Sequence, residues 1–407
     1  MQVTIAPKAE RTLEFGIYRD GDNNLDTSQT SVLTQARDVS RADDSVQFTV
    51  ENTTSAFRQA QGDTVTDTYT LDGGAKHETN TRPAADMANP DNLAQFVART
   101  LDNAEKSGAK QTWIDLVDHG AGDGGGLEAD SYGGVMPMQS IADAIAKGEA
   151  IHAKEHPEDA NRNVDGVVAN QCLMSTLGFA DALSHANVRF LAASPETMVS
   201  PGVPTTVAET IARNTSDAKA MAGAVVDTVM NTRYGAPGFE PFAPAAAFDV
   251  LDLSPAKLAT AERAIKSFND DAVSSAKDPD ARAALRDDVR QVDGMVRFPE
   301  ATPDMPWHAD RPAMAVYNTI ANDTRLSDTV RSDAAEASAA VRGLVLAHRE
   351  SASFDPFGGS NYKDAAGPTI HDPLTRKQID PWAPAVSETK NRFYVATDQD
   401  AFARAIA

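Results

Sequence analysis

The amino-acid sequence predicts an α/β fold with a mostly parallel sheet flanked by helices, followed by a largely helical C-terminal part. From Thr12 to about Ser194, short apolar runs typical of buried strands alternate with longer segments of helical periodicity. This alternation is typical of parallel strands joined by crossover helices. After Asn214 the composition shifts toward alanine and charged residues, and helical patterns dominate.

The first part of the chain is predicted to contain five strands and four helices. The predicted strands are Leu13–Tyr18, Val46–Glu51, Thr112–Val117, Gly166–Ala169 and Arg189–Ala193. The predicted helices are Ser28–Val39, Asn92–Lys106, Met138–Lys154 and Ser175–Ser184. Alternating Thr and Val around a Gly73–Gly74 turn predict a polar hairpin over Gln61–Thr81, at the edge of the sheet.

The second part is predicted to be mostly helical. The predicted helices are Asp217–Asn231, Pro255–Ser275, Ala281–Val292, Ala313–Asp323 and Ser327–His348. One strand, Ala245–Leu251, interrupts them and is a candidate to extend the sheet. Since 407 residues exceed the ~100–200 of a typical domain, two units are expected, residues 1–214 and 215–407.

Composition and charge exclude several classes of partner. The chain has 59 acidic and 37 basic residues, a formal net charge of -22. Such a surface repels phosphate backbones and anionic lipids, so nucleic acid and membrane partners are not expected. No apolar run reaches the ~18 residues that a membrane-spanning helix needs. Because no signal peptide is visible, cytoplasmic residence is the default expectation, and a removed signal or another export route stays open.

Two predicted strand ends carry the residues of nucleophilic catalysis. The strand Thr112–Val117 leads to His119 and then into a glycine-rich stretch, and the strand ending near Asn170 leads to Cys172. If the strands are parallel neighbours, both side chains leave the same edge of the sheet, where α/β proteins bind ligands. Cys172 is predicted to open a helix, whose dipole, with a nearby imidazolium, would lower the pKa of the thiol. The pair therefore predicts an activated cysteine nucleophile.

The single cysteine also has a purely structural interpretation. Cys172 excludes an intramolecular disulfide and a zinc site built on several thiolates. Taken alone, such a residue is more often a small buried hydrophobe. The joint occurrence of Cys172 and His119 at two strand ends favours the catalytic interpretation.

These segments resemble the His-Gly and Cys motifs of clostripain-like cysteine peptidases, within the larger group of caspases, gingipains and legumains. Further similar segments are Tyr18–Asp26, Cys172–Met174 with Gly178–Ala180, Ala193–Glu196 with Ser200–Gly202, and, more weakly, Ala366–Pro373. The resemblance covers Thr12 to about Gly202 well and the remainder loosely. It implies a caspase-like catalytic core in residues 1–214 and a C-terminal extension in residues 215–407.

The resemblance also implies a cysteine endopeptidase acting on protein or peptide substrates. In that family, the equivalent of Cys172 attacks the scissile carbonyl, and the equivalent of His119 protonates the leaving amine. The backbone N–H groups of Gly120 and Cys172 would form the oxyanion hole, where one donor is worth about 3 kcal/mol. No third, histidine-orienting residue is assigned, and no cofactor is required.

Substrate preference depends on two residues. Family members that cleave after arginine or lysine have an acidic residue two positions before the nucleophile, and here that position is Asn170. Asn170 can form hydrogen bonds with a substrate but offers no charge to a guanidinium group. Glu196 is a candidate to supply that charge, and the alternative is that its carboxylate caps a turn.

No metal site is predicted. The segment Asp20–Asn24 has oxygen ligands at alternate positions, as calcium prefers, but it fails the EF-hand pattern, so we predict a structural loop. His152 and His156 lie one helical turn apart as zinc ligands do, but without an obvious third ligand they predict a solvated helix face.

Two alternatives to the peptidase stay open. One is a catalytically silent interaction protein that keeps the caspase-like scaffold, for which Asn170 would be a sign of drift. The other is a cysteine hydrolase acting on amides other than peptides, which would use the same chemistry. The sequence makes no prediction of the oligomeric state.

Overall fold

The computed structural model describes residues 11–54, 65–129, 132–235, 244–245, 247–292, 310–350, 367–371 and 391–407. The strands are β1 (Leu13–Gly21), β2 (Val46–Thr54), β3 (Val65–Asp72), β4 (Ala75–Pro83), β5 (Gln111–Val117), β6 (Gly126–Ala129), β7 (Gly134–Met136), β8 (Gly166–Asn170), β9 (Phe190–Ala193), β10 (Ala247–Asp252), β11 (Asp310–Pro312), β12 (Val345–Glu350) and β13 (Thr369–His371). The helices are α1 (Thr30–Ala42), α2 (Pro90–Ser107), α3 (Met138–Glu155), α4 (Leu177–His185), α5 (Val207–Arg213), α6 (Ala218–Asn231), α7 (Pro255–Ser275), α8 (Pro279–Gln291), α9 (Ala313–Asn322), α10 (Asp328–Leu344), α11 (Arg392–Ala396) and α12 (Gln399–Ile406).

Nine strands form one mixed sheet in the order β12-β10-β9-β8-β5-β1-β2-β3-β4. The central strands β2, β1, β5, β8 and β9 pair in parallel, and the strands at both edges pair antiparallel. The predicted α/β fold with a mostly parallel sheet is therefore confirmed. The predicted polar hairpin is also present as β3 and β4, with its turn at Gly73–Gly74, while residues 61–64 lie outside the described chain.

Helices cover both faces of the sheet. Alternate residues of β5 contribute to two hydrophobic clusters: Ile114 and Leu116 belong to one, and Trp113 and Val117 to the other. The first cluster draws its helical side chains from α2–α4 and α7–α12, and the second from α1, α5 and α6. Strands buried on both faces are typical of parallel sheets enclosed by helices. Among the described residues, no helix is both long and apolar enough to span a membrane.

A glycine in β8 fixes the packing of the three strands that lead to the candidate site. Gly166 lies between Trp113 of β5 and Phe190 of β9 in the sheet register. The rings of Trp113 and Phe190 stack across it, with centroids 5.7 Å apart and planes inclined by 8°. A Cβ atom at Gly166 would lie 2.6 Å from the Trp113 ring. The absent side chain is therefore what lets the two rings meet.

One predicted helix in the C-terminal part is wrong at its end. The helical pattern Ser327–His348 was expected to be continuous, but α10 ends at Leu344, and β12 follows directly, antiparallel to β10. In β12, His348 Nδ1 lies 2.7 Å from the carboxylate of buried Asp249. Backbone pairing with β10 and this contact override the helical periodicity, a tertiary effect that local pattern does not carry.

The C-terminal part therefore contributes two strands, β10 and β12, to the main sheet. Only one strand was predicted there. The division into residues 1–214 and 215–407 stays a prediction. Of the weakly matching segment Ala366–Pro373, residues 366, 372 and 373 lie outside the described chain, and the residues between them include β13.

Two alanine substitutions test the packing at Gly166. We expect Gly166→Ala to lower the free energy of unfolding by about 1–3 kcal/mol, because the new methyl group must displace Trp113. Gly223→Ala is the matched control, since Gly223 lies within α6 and a Cβ atom there would meet nothing within 4 Å. That substitution should raise stability by about 0.5–1 kcal/mol. Urea unfolding followed by circular dichroism measures both, and a neutral Gly166→Ala would contradict the packing described.

Candidate functional site

A cavity of about 220 Å³ opens where the central parallel strands end. Its walls come from the segments that follow β1, β5, β8 and β9. The lining residues are Leu25, Gln29, Asp118, His119, Asn170, Gln171, Cys172, Thr197, Met198, Val199, Ser200 and Gly202. Three of the residues singled out from the sequence, His119, Asn170 and Cys172, thus border the same space.

His119 follows β5 by two residues and is partly exposed. Its Nε2 atom lies 2.7 Å from Oδ1 of Asn24, an exposed residue in the loop after β1. This contact fits the tautomer that carries its proton on Nε2, with the amide oxygen of Asn24 as acceptor. No residue that orients His119 was predicted from the sequence. The signal was present in Asp20–Asn24, which we interpreted as a structural loop only.

The loop after β1 and the residues before His119 are joined by a buried carboxylate. Asp118 accepts hydrogen bonds from the Asn23 amide and from the backbone N–H groups of His119 and Glu128. Burial, followed by the charge of Asp20, raises the pKa of Asp118 well above its usual range. Asp20 in turn accepts from the N–H of Asp22 at 2.9 Å. These contacts agree with the structural role predicted for this loop.

The glycine-rich loop after His119 lies directly against the segment that carries Cys172. A Cβ atom at Gly120 would be 2.3 Å from the carbonyl oxygen of Cys172, so only glycine allows this approach. Gln171 Nε2 donates to the carbonyl oxygen of His119 at 2.8 Å and holds the loop in place. Gly120 thus lies against the backbone of Cys172, while the oxyanion hole built from their N–H groups stays a prediction. Gln171, which the sequence did not single out, connects the two segments through its side chain.

Cys172 is partly buried, and its thiol faces the loop after β9. The backbone N–H of Met198 donates to Sγ at 3.2 Å, while the N–H of the next residue, Leu173, donates to the Glu196 carbonyl oxygen at 3.0 Å. Burial raises the pKa of Cys172 to about 11; the Met198 N–H lowers it and the Glu196 charge raises it further. The thiol of the resting protein is therefore protonated at neutral pH.

This result corrects two expectations about Cys172. The helix predicted from Ser175 begins at Leu177, because Thr176 is its N-cap and accepts from the N–H of Phe179 at 3.0 Å. Cys172 therefore lies five residues before the helix rather than opening it, and the effect of the dipole falls off over that distance. The expected low pKa of the thiol is wrong for this state, since desolvation dominates.

Asn170 lines the cavity, but both ends of its side-chain amide are engaged. Oδ1 accepts from the N–H of Val203 at 2.8 Å, and Nδ2 donates to the Val203 carbonyl oxygen at 3.3 Å. Asn170 therefore holds the loop that forms one wall. Behind it lies Asp115, which forms a hydrogen bond with Asn170 and whose pKa burial raises well above its usual range.

Glu196 is buried, and its carboxylate turns back on its own loop. Oε2 accepts from the backbone N–H of Thr197 at 2.9 Å and from the Thr197 hydroxyl at 3.3 Å. Glu196 is not among the described residues that line the cavity. This geometry is that of the turn-capping alternative.

The prediction for His152 is wrong. His152 was expected on a solvated helix face without a third ligand, but it is fully buried between α3 and α2. Its Nδ1 atom lies 2.7 Å from the carboxylate of Asp102. Asp102, which belongs to the neighbouring helix α2, is about 50 positions from His152 in the sequence. No local spacing pattern connects two residues that far apart.

The parallel central strands and the crevice at their carboxyl ends define an α/β protein with a candidate site at one edge of its sheet. No family model matches the chain, and no curated protein matches it. Several solved structures do match the chain. One is the inactive zymogen of a C11 protease from Parabacteroides distasonis, 15% identical, with a TM-score of 0.60 over 97% of this chain and 99% of that chain.

A second is a secreted C11 cysteine protease from Bacteroides thetaiotaomicron, iotapain, 13% identical, with a TM-score of 0.62 over 95% of this chain and 99% of that chain. A third is a secreted C11 cysteine protease from the same organism in complex with an irreversible peptide inhibitor, 13% identical, with a TM-score of 0.62 over 96% and 99%. At such low identity the likeness shows the fold. The resemblance predicted from the sequence is confirmed at this level, over nearly the whole chain.

The raised pKa of Cys172 predicts slow alkylation near neutral pH. Because the thiolate is the nucleophile, the rate with iodoacetamide should rise about tenfold per pH unit and level off only near pH 11. The denatured chain should show a midpoint near 8.5, the ordinary value for cysteine, to within about a unit. Because iodoacetamide also reacts with lysine at high pH, peptide mass mapping measures alkylation of Cys172 itself, and Cys172→Ala gives the background. A midpoint at or below pH 8 in the folded protein would contradict the desolvated thiol.

Proposed function

We propose that this protein is a cysteine endopeptidase, with Cys172 as nucleophile and His119 as acid and base. The observation that carries the proposal is that the two residues follow adjacent parallel strands and line one cavity. The glycine loop packed against the backbone of Cys172 supports it, because an oxyanion hole needs N–H groups from both segments. The caspase-like fold, shared with C11 cysteine proteases, supports it independently.

The proposed reaction begins with transfer of the Cys172 proton to His119. The sulfur then forms a bond to the scissile carbonyl carbon, and the carbonyl electrons move to oxygen. The N–H groups of Gly120 and Cys172 stabilise this oxyanion; loss of one such donor typically costs on the order of 3 kcal/mol. As the carbon–nitrogen bond breaks, His119 returns the proton to the leaving amine, and a thioester remains on Cys172.

Hydrolysis of the thioester completes the cycle. A water molecule gives a proton to His119 and attacks the acyl carbon; the carbon–sulfur bond then breaks, and the Cys172 thiolate leaves and takes a proton back from His119. His119 must hold one orientation through both half-reactions. Asn24 supports this by its contact with Nε2, which leaves Nδ1 to exchange the proton.

We further propose that basic side chains are accepted before the cleaved bond. No lysine or arginine is among the described residues that line the cavity. Two buried carboxyl groups lie outside the described lining of the cavity: Asp115, which forms a hydrogen bond with Asn170, and Glu196, in the loop after β9. Burial raises the pKa of Asp115, and an arriving cation would favour the charged form of that carboxyl group. This favours arginine or lysine over acidic side chains, while Glu196 is engaged by Thr197.

One observation favours the silent interaction protein as a second candidate. A thiol with a pKa near 11 is almost entirely protonated at neutral pH, and its activation by His119 must overcome that desolvation. In a peptidase, substrate binding or a processing step would offset the desolvation that keeps the thiol protonated. In an interaction protein nothing would offset it, and the thiol would stay protonated and inert.

Cleavage of a mixed peptide library tests the proposal. We expect the wild type to cut after arginine or lysine, and Cys172→Ala and His119→Ala to lose at least about 1,000-fold in kcat/KM, since both act as one unit. His77→Ala, which changes an exposed histidine on β4, is the control and should keep full activity. Activity that survives in Cys172→Ala would contradict the proposed mechanism. An inactive wild type, before and after limited proteolysis, would favour the interaction protein.

A further inference from the structure

A second cluster of ionisable side chains lies away from the cavity, where α2 and α3 pack together. We call it the His152 cluster. Its members are Asp102 and Glu105 of α2, His152 of α3, and His156 and Asp159 just beyond α3. The imidazole rings of His152 and His156 stack, with centroids 4.8 Å apart and planes inclined by 19°.

We propose that the His152 cluster is a zinc site in which Asp102, His152 and His156 are the ligands. One oxygen of Asp102 lies 2.7 Å from Nδ1 of His152 and 3.3 Å from Nε2 of His156. In a tetrahedral zinc site with bonds of ~2.0–2.1 Å, neighbouring ligand atoms are roughly 3.3–3.5 Å apart. The three atoms all lie within 4.8 Å of one another, so small side-chain shifts would give that geometry.

The remaining ring nitrogens face carboxylates, as they do around many metal-bound histidines. Nδ1 of His156 lies 2.6 Å from Glu105, and Nε2 of His152 lies 3.6 Å from Asp159. In zinc sites, such carboxylates hold the proton on the nitrogen that does not bind the metal and orient the ring. His152 is fully buried, yet its Nε2 has no hydrogen-bond partner among the described residues, because 3.6 Å is too long. With a metal on Nδ1, the proton of His152 would sit on Nε2 and point toward Asp159, where a small shift would close the 3.6 Å gap.

Charge and access both suit a divalent cation. Three carboxylates surround the two rings, a fourth, Glu158, lies 4.0 Å from His156, and Arg162 is paired with Asp159. Asp102 and His156 are 22% and 25% exposed, so an ion can enter from solvent and keep a water molecule as its fourth ligand. Two imidazole ligands favour Zn²⁺ over Ca²⁺ or Mg²⁺, which prefer oxygen. None of these residues lines the catalytic cavity, so the site would fasten α2 to α3 rather than take part in peptide cleavage.

Zinc binding is best measured in full-length Cys172→Ala protein, which removes the single thiol as a competing ligand. After treatment with a chelator, titration calorimetry with Zn²⁺ should give one site per chain, and Zn²⁺ should raise the melting temperature by several degrees. Mg²⁺ should not substitute. In the same background, Asp102→Asn and His156→Ala should weaken binding by at least about 100-fold, and Glu105→Gln by about 10–100-fold. His77→Ala should bind zinc like the parent.

Two results would overturn the site. One is the absence of Zn²⁺ binding to the chelator-treated parent, which would leave an ion cluster of imidazoles and carboxylates. The other is binding to Asp102→Asn that equals binding to the parent, which would place the metal elsewhere. Asp102→Asn keeps the shape of the side chain, so it carries the test even if His156→Ala does not fold. Circular dichroism without zinc checks the fold of each variant, and the outcome is independent of peptidase activity.

Discussion

The parallel register of β5 and β8 is the constraint on which the candidate site depends. Val117 lies opposite Asn170, so the two chains leave the sheet at the same level, and His119 and Cys172 follow two residues later. A slip of one residue would turn one of these segments to the opposite face. The stacking of Trp113 and Phe190 across Gly166, at the other end of the same strands, fixes that register through packing.

Polar contacts then position the side chains and loops that follow these strands. Gln171 ties the glycine loop to the cysteine segment, and Asn24 contacts the imidazole of His119. Asn170 holds the loop that walls the cavity by pairing with the backbone of Val203. The cost of this compact site is a desolvated thiol: burial, which shapes the cavity, also raises the pKa of Cys172. The proposed chemistry therefore depends on proton transfer to His119 during the reaction, not on a thiolate present beforehand.

Much of the fold could be predicted because its central strands are apolar and its helices strongly periodic. His119 and Cys172 could be placed at the same edge of the sheet because strand ends and glycine are visible locally. Asn24, Gln171 and Asp102 were missed, since each acts through a partner at least about 50 residues away in the sequence. The strand β12 was missed for the same reason: its backbone partner is β10, and its own residues continue a helical pattern.

The most direct test of the central claim is covalent labelling at the active site. Wild-type protein would be incubated with a short peptide whose C-terminal arginine is converted to a ketone that bears a carboxylate leaving group on its α-carbon, so that sulfur displaces the carboxylate and forms a stable thioether. The peptidase predicts one adduct by intact mass, located on Cys172, and little labelling in His119→Ala. No adduct on the wild type, or equal labelling of wild type and His119→Ala, would contradict a catalytic pair.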